Sequence, residues 1–237
     1  NWQSPAPAYV VLFGDGNQDP RRYVSASLPN YIPAYLAAAD PWYIETAADN
    51  RYVTFVGNDT LPDMMLGRLT ADNVTEANIL VNKVINYEAT PANAWKQNVL
   101  FVADNADLAG DFDQISDDLI GCCLPDIFNP QKVYFKVNFQ TVESTRAAII
   151  GGFNDGALIV NYIGHASKTQ WMDEGVFRVS DVNSLGNQEK LAVVLSMTCL
   201  DGQYQHNLSG ANNRPMAELL TVTAGKGAVA TWSPTGL

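Results

Sequence analysis

The sequence has 237 residues, of which 47% are hydrophobic and 16% are charged, and its formal net charge is −11. This composition is typical of a folded globular protein with a sizeable core, and it excludes a disordered chain. The acidic balance, with no run of Lys or Arg, argues against nucleic acid or an anionic membrane surface as a partner. No apolar stretch reaches the ~18 residues of a membrane span, so we expect no membrane insertion.

Short runs rich in apolar residues predict seven strands. Several of these runs are continuously apolar, which favours strands of a parallel sheet that is covered on both faces. The predicted strands are Tyr9–Phe13, Tyr52–Val56, Val99–Ala103, Val133–Val137, Ala157–Ile163, Leu191–Met197 and Gly227–Trp232.

Three segments between these strands predict helices. The first follows a capping-box pattern, in which Asn73 precedes Glu76 by three residues. The second extends from about Thr141 to Phe153, and the third from Pro215 to Gly225. The face of the first helix that we expect to be buried consists of Ala77, Val81, Val84 and Ile85. Alternation of strands and helices predicts an α/β layered fold.

A change in the pattern near residues 89–95 suggests two lobes. Residues 1–92 form the predicted smaller α/β lobe, and residues 93–237 hold five strands with helices between them, which makes a complete α/β sheet. The sequence begins at Asn1 and has no signal-like start, so we expect it to be a piece of a longer, processed protein.

Three cysteines are present, so at least one thiol is free. Cys122 and Cys123 are adjacent, and because a disulfide between neighbours closes a strained ring, we expect them to be buried unbonded residues. Cys199 is the isolated cysteine, and it is therefore the candidate for a reactive thiol.

His165 and Cys199 both follow predicted strands, at the ends where sites form in open α/β sheets. If the two strands are parallel neighbours, both side chains lie at one edge of the sheet. A thiolate there could attack a peptide carbonyl while the imidazole protonates the leaving amine. Gly164 would let the chain turn sharply, and the amides of Gly164 and Ala166 are the candidate oxyanion donors.

Other interpretations of these residues stay open. A lone cysteine is often a buried hydrophobe, and a lone histidine is often structural. His206 is an alternative base, seven residues after Cys199. A zinc site is not expected, since the chain has two histidines and no Cys-x-x-Cys pair.

Several blocks of the sequence resemble the gingipain family of cysteine peptidases. The blocks are the run from Leu158 to Ser167 followed by Trp171, the run Leu195–Gly202, Ala217–Leu220, Gly227–Ala230 with Trp232–Pro234, and, in the first lobe, Val11–Asp15, Leu61–Asp63, Gly67-Arg68 and Lys83 with Tyr87-Glu88. The resemblance covers nearly the whole chain in order, and it implies the three-layer α/β fold with a mostly parallel sheet that caspases and legumain share.

The resemblance also implies roles for individual residues. His165 and Cys199 become the catalytic pair of a cysteine endopeptidase acting on proteins or peptides. The pocket for the substrate residue would be lined by Ile163, Met197 and Trp232, with Asp111 near the position of a pocket carboxylate. An acid that supports the histidine would follow the strand Val99–Ala103, where Asp104 and Asp107 are both candidates.

One residue departs from the family pattern. The family usually has glycine after the catalytic histidine, and this sequence has Ala166. If that position requires a positive φ, alanine is strained by about 1 kcal/mol or more, which favours weakened activity or an inactive, peptidase-like binding module. Family members are typically secreted or attached to the cell surface, and several bind calcium. No dense Asp/Asn/Gly loop is present here, so we assign no metal and expect no cofactor.

Overall fold

The computed structural model describes residues 5–24, 30–91, 93–206 and 214–237. The smaller lobe pairs two parallel strands, and it also contains an antiparallel hairpin, one short 3-10 helix and one long α-helix. Its elements are β1 (Tyr9–Phe13), β2 (Leu36–Asp40), β3 (Ile44–Ala47), a 3-10 helix (Asp49–Val53), β4 (Met65–Leu69) and α1 (Val74–Ala89).

The larger lobe is built on a five-stranded sheet whose strands are all parallel, in the order β12-β11-β7-β5-β6. Three short strands after β7 form a separate antiparallel sheet. The elements are β5 (Asn98–Ala103), α2 (Phe112–Cys123), β6 (Asn129–Tyr134), α3 (Val142–Asp155), β7 (Ile159–Ile163), β8 (Ala166–Ser167), β9 (Gln170–Trp171), β10 (Phe177–Arg178), β11 (Ala192–Met197), α4 (Met216–Val222) and β12 (Ala228–Trp232).

Helices cover the five-stranded sheet on both faces. Side chains alternate along β5, so Phe101 and Val102 point to opposite faces. Phe101 belongs to a buried cluster with Phe112 of α2, whereas Val102 belongs to the larger cluster with Ile149 of α3 and Leu220 of α4. This arrangement confirms the expected three-layer, caspase-like α/β fold with two lobes.

Six of the seven predicted strands are confirmed, with ends that differ by up to four residues. The prediction for Tyr52–Val56 is wrong, because the chain forms the 3-10 helix Asp49–Val53 and then a turn. The carboxylate of Asp63 accepts the amides of Phe55 and Val56, which fixes that turn. The strand that pairs with β1 is instead β4, which was not predicted. Gly67 in the middle of β4 weakens the apolar pattern by which a strand is recognised.

Helix α1 has the predicted start but presents a different face to the core. Asn73 accepts a hydrogen bond from the Glu76 amide, as the capping pattern predicted. The expected buried face is wrong for three of its four residues, since Val81, Val84 and Ile85 are all at least 36% exposed. Ala77 packs against the cluster that contains Leu80. The buried residues of α1 are Leu80 and Lys83.

Three features of the described chain were not expected from the sequence. The hairpin of β2 and β3, the helix α2 and the small sheet of β8, β9 and β10 were all missed. The expectation for Cys122 and Cys123 is also wrong: both are exposed at the end of α2, and a disulfide joins them. The buried residues of α2 are Phe112 and the polar Ser116, so the helix carries only a weak apolar pattern.

Buried Lys83 connects the two lobes. Its ammonium donates hydrogen bonds to the carbonyls of Leu220 (3.0 Å), Lys226 (2.6 Å) and Ala228 (3.2 Å). These carbonyls belong to α4, to the turn after it and to β12. A single amino group therefore binds three acceptors across the lobe junction, and burial lowers its pKa from 10.5 to about 7. The boundary between residues 92 and 93 falls between α1 and β5, and its place stays a prediction.

Replacing this lysine tests the junction. We expect Lys83→Met to lower the free energy of unfolding by about 2–4 kcal/mol, because the carbonyls would stay buried without a donor. Lys132→Met is the matched control, since Lys132 is 40% exposed and pairs with Asp117 at the surface. That variant should lose less than about 1 kcal/mol. Urea unfolding measures both, and equal losses would contradict the role of Lys83.

Candidate active site

His165 and Cys199 leave the sheet at the same edge. Strands β7 and β11 are parallel neighbours, and Ile163 is in register with Met197. Each candidate lies two residues beyond that last pair, and the Gly164 amide donates to the Met197 carbonyl (3.3 Å). The condition that the sequence argument required is therefore met: the strands are adjacent and parallel.

The loop after β5 folds around His165. The His165 Nε2 atom lies 2.9 Å from a carboxylate oxygen of Asp107, and the backbone amide of His165 donates to Asp104 Oδ2 (3.1 Å). Asp107 therefore contacts the imidazole, whereas Asp104 holds the backbone. Hydrogen bonds from the Ala109 amide and, to a lesser degree, from His165 lower the pKa of Asp107, which favours its ionised form.

A short hairpin carries the chain away from His165. The His165 carbonyl accepts hydrogen bonds from the Met172 amide (2.7 Å) and from the hydroxyl of Tyr162. Strands β8 and β9 then pair Ala166 with Trp171. The pairing of His165 with Met172 makes the next pair a non-hydrogen-bonded one, because the two kinds alternate in antiparallel strands. We therefore expect the amide of Ala166 to point away from β9 and to be free of the hairpin.

The predicted strain at Ala166 is not found. Ala166 lies in the extended strand β8, and it is not among the residues of positive φ. The positive φ belongs to Gly164, two residues earlier, at +154°. A Cβ on Gly164 would lie 2.4 Å from Cβ of Asp104, so only glycine fits there. The amide of Gly164 is engaged by Met197, which leaves that of Ala166 as the oxyanion candidate from this loop.

The thiol of Cys199 is partly buried and free. Burial, followed by the charges of Asp201 and Asp40, raises its pKa. Within the described part of the chain, no hydrogen bond joins Cys199 Sγ to the His165 ring. Contacts of this kind are often long in the absence of substrate and tighten when it binds.

The three predicted pocket residues of the strands lie on one face of the sheet. Met197 pairs with Ile163, and Trp232 pairs with Leu195, two residues before Met197 on the same side of β11. Ile163 is buried, Met197 is 46% exposed and Trp232 is 73% exposed. The three side chains therefore share one face of the sheet, and their role as a substrate pocket stays a prediction.

Asp111 lies at the start of α2, where its carboxylate caps the helix by accepting the Gln114 amide (3.4 Å). The next residue, Phe112, packs edge-on against the His165 ring at a centroid distance of 5.4 Å. Asp111 is thus near the site but has a structural partner of its own. The side chain of the alternative base, His206, lies outside the described part of the structure.

One buried carboxylate of the site was not singled out from the sequence. Asp201 lies in the quoted Leu195–Gly202 block, and its Oδ2 accepts a hydrogen bond from Trp171 Nε1 (3.1 Å). Burial raises the pKa of Asp201 to about 6. Because Trp171 belongs to β9, this hydrogen bond links the cysteine loop to the hairpin after His165. The Trp171 ring also stacks on Tyr162 of β7, with a centroid distance of 4.5 Å. Sequence position alone carried no signal for this contact.

A protein-family model, that of peptidase family C25, matches residues 1–237. The chain belongs to this family. It is 27% identical over 169 residues to Gingipain R2 of Porphyromonas gingivalis strain W83, which covers 68% of this chain and 22% of that protein. Lys-gingipain W83 of Porphyromonas gingivalis is 25% identical over 157 residues, or 65% of this chain and 9% of the relative. The chain thus spans less than a quarter of these relatives.

Solved structures agree with the fold. A crystal structure of the Arg-specific cysteine proteinase gingipain R superposes with a TM-score of 0.72 at 24% identity, covering 94% of this chain and 48% of that one. A complex of the pro- and mature domains of Porphyromonas gingivalis RgpB gives 0.75 at 23% identity, covering 97% and 50%. At this identity the likeness concerns the fold.

Among the described residues of this C25 chain, one acidic cluster could hold a metal ion. One oxygen each of Asp15, Asp72 and Glu218 lies within 4.8 Å of the others. Arg214 already supplies positive charge there, pairing with Asp72 and with Glu218 (3.1 Å). We therefore assign no ion to the cluster, and calcium stays unassigned.

A substitution at Gly164 tests the close approach beside His165. We expect Gly164→Ala to lower the free energy of unfolding by about 2 kcal/mol or more, because the methyl group would collide with Asp104 and the positive φ would be strained. Gly151→Ala is the matched control: Gly151 lies in α3 with open space around its Cβ position. That variant should be neutral or slightly stabilising. Chemical denaturation compares them, and equal stabilities would contradict the crowding.

The acidic cluster predicts a pH dependence of stability. Burial and the charge of Asp72 raise the pKa of Asp15 from 3.8 to about 7, and the charge of Arg214 opposes this rise. Glu218 and Lys168 also interact electrostatically with Asp15. An acid whose pKa is raised by folding contributes stability that is full below about pH 4 and is lost as the pH rises to about 7. Asp15→Asn stays neutral and should escape that loss.

We therefore expect Asp15→Asn to gain stability relative to the wild type between pH 4 and pH 8, by on the order of 1 kcal/mol or more. Thermal or urea unfolding across that range gives the difference. Asp126→Asn, at an exposed position, serves as the control and should leave the free energy of unfolding within about 0.5 kcal/mol of the wild type. A flat profile for Asp15→Asn would contradict the assigned direction.

Proposed function

We propose that this chain is the catalytic part of a cysteine endopeptidase in which Cys199 and His165 form the reactive pair. Membership of peptidase family C25 supports a cysteine peptidase. The observation that carries the assignment of the pair is the pairing of β7 with β11, which places both residues just beyond the last paired positions of neighbouring parallel strands. The contact of Asp107 with the imidazole supports a role for His165 as acid and base.

The proposed reaction proceeds in two steps. His165 accepts the thiol proton, and the sulfur of Cys199 forms a bond to the peptide carbonyl carbon. His165 then gives the proton to the leaving nitrogen, the C–N bond breaks, and an acyl thioester remains. Water, deprotonated by His165, attacks that thioester and releases the acid product with the free thiol. Because its surroundings raise the pKa of Cys199, deprotonation by a nearby base is needed at neutral pH.

We propose that the amide of Ala166 stabilises the oxyanion of both steps. This amide lies next to His165 and is left free by the hairpin pairing of β8 with β9. A backbone donor in that role contributes about 3 kcal/mol to the stabilisation of a transition state.

We propose that the substrate is a protein or peptide with a basic residue before the cleaved bond. One similar structure is named as an Arg-specific proteinase, and one relative is named Lys-gingipain. Exposed Trp232 could stack on a cationic side chain, and the net charge of −11 attracts cations. Asp111 is the proposed carboxylate of that pocket, although it also caps α2. An uncharged pocket is the competing proposal.

We also propose that the protein acts outside the cell or at its surface, by analogy with the gingipains that it resembles. Within the described residues, no helix has the length and apolar character needed to cross a membrane. Nucleic acid remains an unexpected partner because of the acidic charge.

The rival proposal, an inactive binding module, loses its main support. It rested on strain at Ala166, and the backbone at that position is extended. Cys199 and His165 are both present and share the same edge of the sheet.

A fluorogenic peptide library tests the proposal. Under reducing conditions, we expect the protein to cleave peptides with Arg or Lys before the cut. Cys199→Ala should lose at least about 10³-fold in activity, because it removes the nucleophile. The double variant Cys122→Ala/Cys123→Ala is the matched control, since both cysteines are exposed at the end of α2, and it should retain activity.

The outcomes separate the alternatives. No cleavage by the wild type, together with a Cys199 that does not react with iodoacetamide, would reject the peptidase and favour the binding module. Equal activity in the wild type and Cys199→Ala would reject the proposed nucleophile. Cleavage only after uncharged residues would keep the reaction and reject the basic pocket.

A further inference from the structure

The residue after the proposed nucleophile has an unusual backbone conformation. Leu200 has a φ of +62°, a left-handed value that is costly for a residue with a large side chain. Such a conformation persists only when the surrounding structure enforces it. The Leu200 carbonyl accepts the Gln203 amide (2.9 Å) within the loop, and the Leu200 amide donates to the Gly236 carbonyl (3.1 Å). Residues near Gly236 therefore help to hold the turn that carries Cys199.

Residues 234–237, which we call the strap, lie between the cysteine loop and the hairpin of the smaller lobe. On one side, the Gly202 amide donates to the Pro234 carbonyl (2.9 Å). On the other side, the Thr46 hydroxyl donates to the Thr235 carbonyl (2.7 Å), and the Thr235 hydroxyl donates to the Ala47 carbonyl (2.7 Å). The strap thus joins the cysteine loop to β3 in the other lobe.

Asp40, at the end of β2, holds the far end of the strap. This buried carboxylate accepts the amides of Trp42 (2.8 Å) and Tyr43 (2.7 Å) at Oδ1, and the amide of Leu237 (2.6 Å) at Oδ2. A Cβ on Gly236 would lie 2.6 Å from Asp40 Oδ2, so the strap backbone packs directly against the carboxylate. The carbonyl of the same peptide unit, that of Gly236, accepts the amide of Leu200.

We propose that Asp40 is a positioning residue for Cys199, which fixes the strap and thereby holds Leu200 in its left-handed conformation. The role rests on the proposed function, because positioning matters only for a reacting thiol. It adds a contribution of the smaller lobe to a site whose proposed reactive pair lies in the larger one. The charge of Asp40 also acts on the Cys199 thiol, after burial and Asp201, so the two groups share one electrostatic environment.

Asp40→Asn tests the role with little change of size. Asparagine has one acceptor oxygen, so it cannot serve both the hairpin amides and Leu237. We expect kcat to fall by about tenfold or more with KM changed by less than about twofold, because misplacement of a reacting group affects the chemical step. The variant should be made in the complete protein that carries this sequence and assayed on its preferred peptide.

Asp63→Asn is the matched control. Asp63 also accepts two turn amides in the smaller lobe, those of Phe55 and Val56. It is exposed, and among the described residues no hydrogen bond joins it to the strap. Its kcat should stay within about twofold of the wild type, since it does not touch the site. Equal losses of kcat in the two variants would overturn the proposal.

Leu200→Gly tests whether Asp40 acts on Cys199 through the backbone conformation of Leu200. Glycine adopts a positive φ without strain, so the turn no longer needs to be held. The loss of kcat caused by Asp40→Asn should therefore be several-fold smaller in the Leu200→Gly background. An unchanged loss would overturn the route through Leu200.

Amide hydrogen exchange separates this proposal from the peptidase assignment. If the wild type cleaves nothing, the proposed function fails, but the chain of hydrogen bonds can still be measured. Exchange at the amides of Leu200 and Leu237 should be faster in Asp40→Asn than in Asp63→Asn. Equal exchange at Leu200 in the two variants would overturn the positioning role whatever the activity.

Discussion

Parallel pairing of β7 with β11 is the constraint on which the candidate site depends. Met197 is in register with Ile163, so His165 and Cys199 both follow the last pair by two residues. A slip of one residue would turn every side chain of β11 to the other face of the sheet. Buried Val194 would then leave the core cluster that it shares with Val160. Packing of the core thus fixes the register, and the position of the site follows from the same contacts.

The parts of the fold that could be predicted are those with a local signal. Buried parallel strands are continuous apolar runs, so β7 and β11 were located to within two residues of their observed starts. The buried face of α1 could not be predicted, because periodicity favoured its valines. That helix instead turns Lys83 inward, where three carbonyls from α4, its following turn and β12 accept hydrogen bonds. Only the fold brings those acceptors together.

The candidate site also contains residues that a local sequence signal could identify and residues that it could not. Position after a strand was enough to select His165 and Cys199, whereas the choice between Asp104 and Asp107 depended on how their loop folds. The structure assigns them different contacts, one with the backbone of His165 and one with its ring. Asp40 is 197 residues from Leu237 along the chain. A contact over such a separation leaves no pattern in the local sequence, so no reading of spacing could find it.

The extended backbone of Ala166 has a consequence for how related sequences are recognised. The need for glycine lies two positions earlier, at Gly164, where φ is +154° and Asp104 leaves no room for a side chain. Residue 166 lies in strand β8, a conformation that any L-amino acid adopts. The backbone at this position is therefore compatible with residues other than glycine, while the turn before the histidine is kept. A search pattern that demands glycine after the histidine would overlook chains that build the same hairpin with another residue.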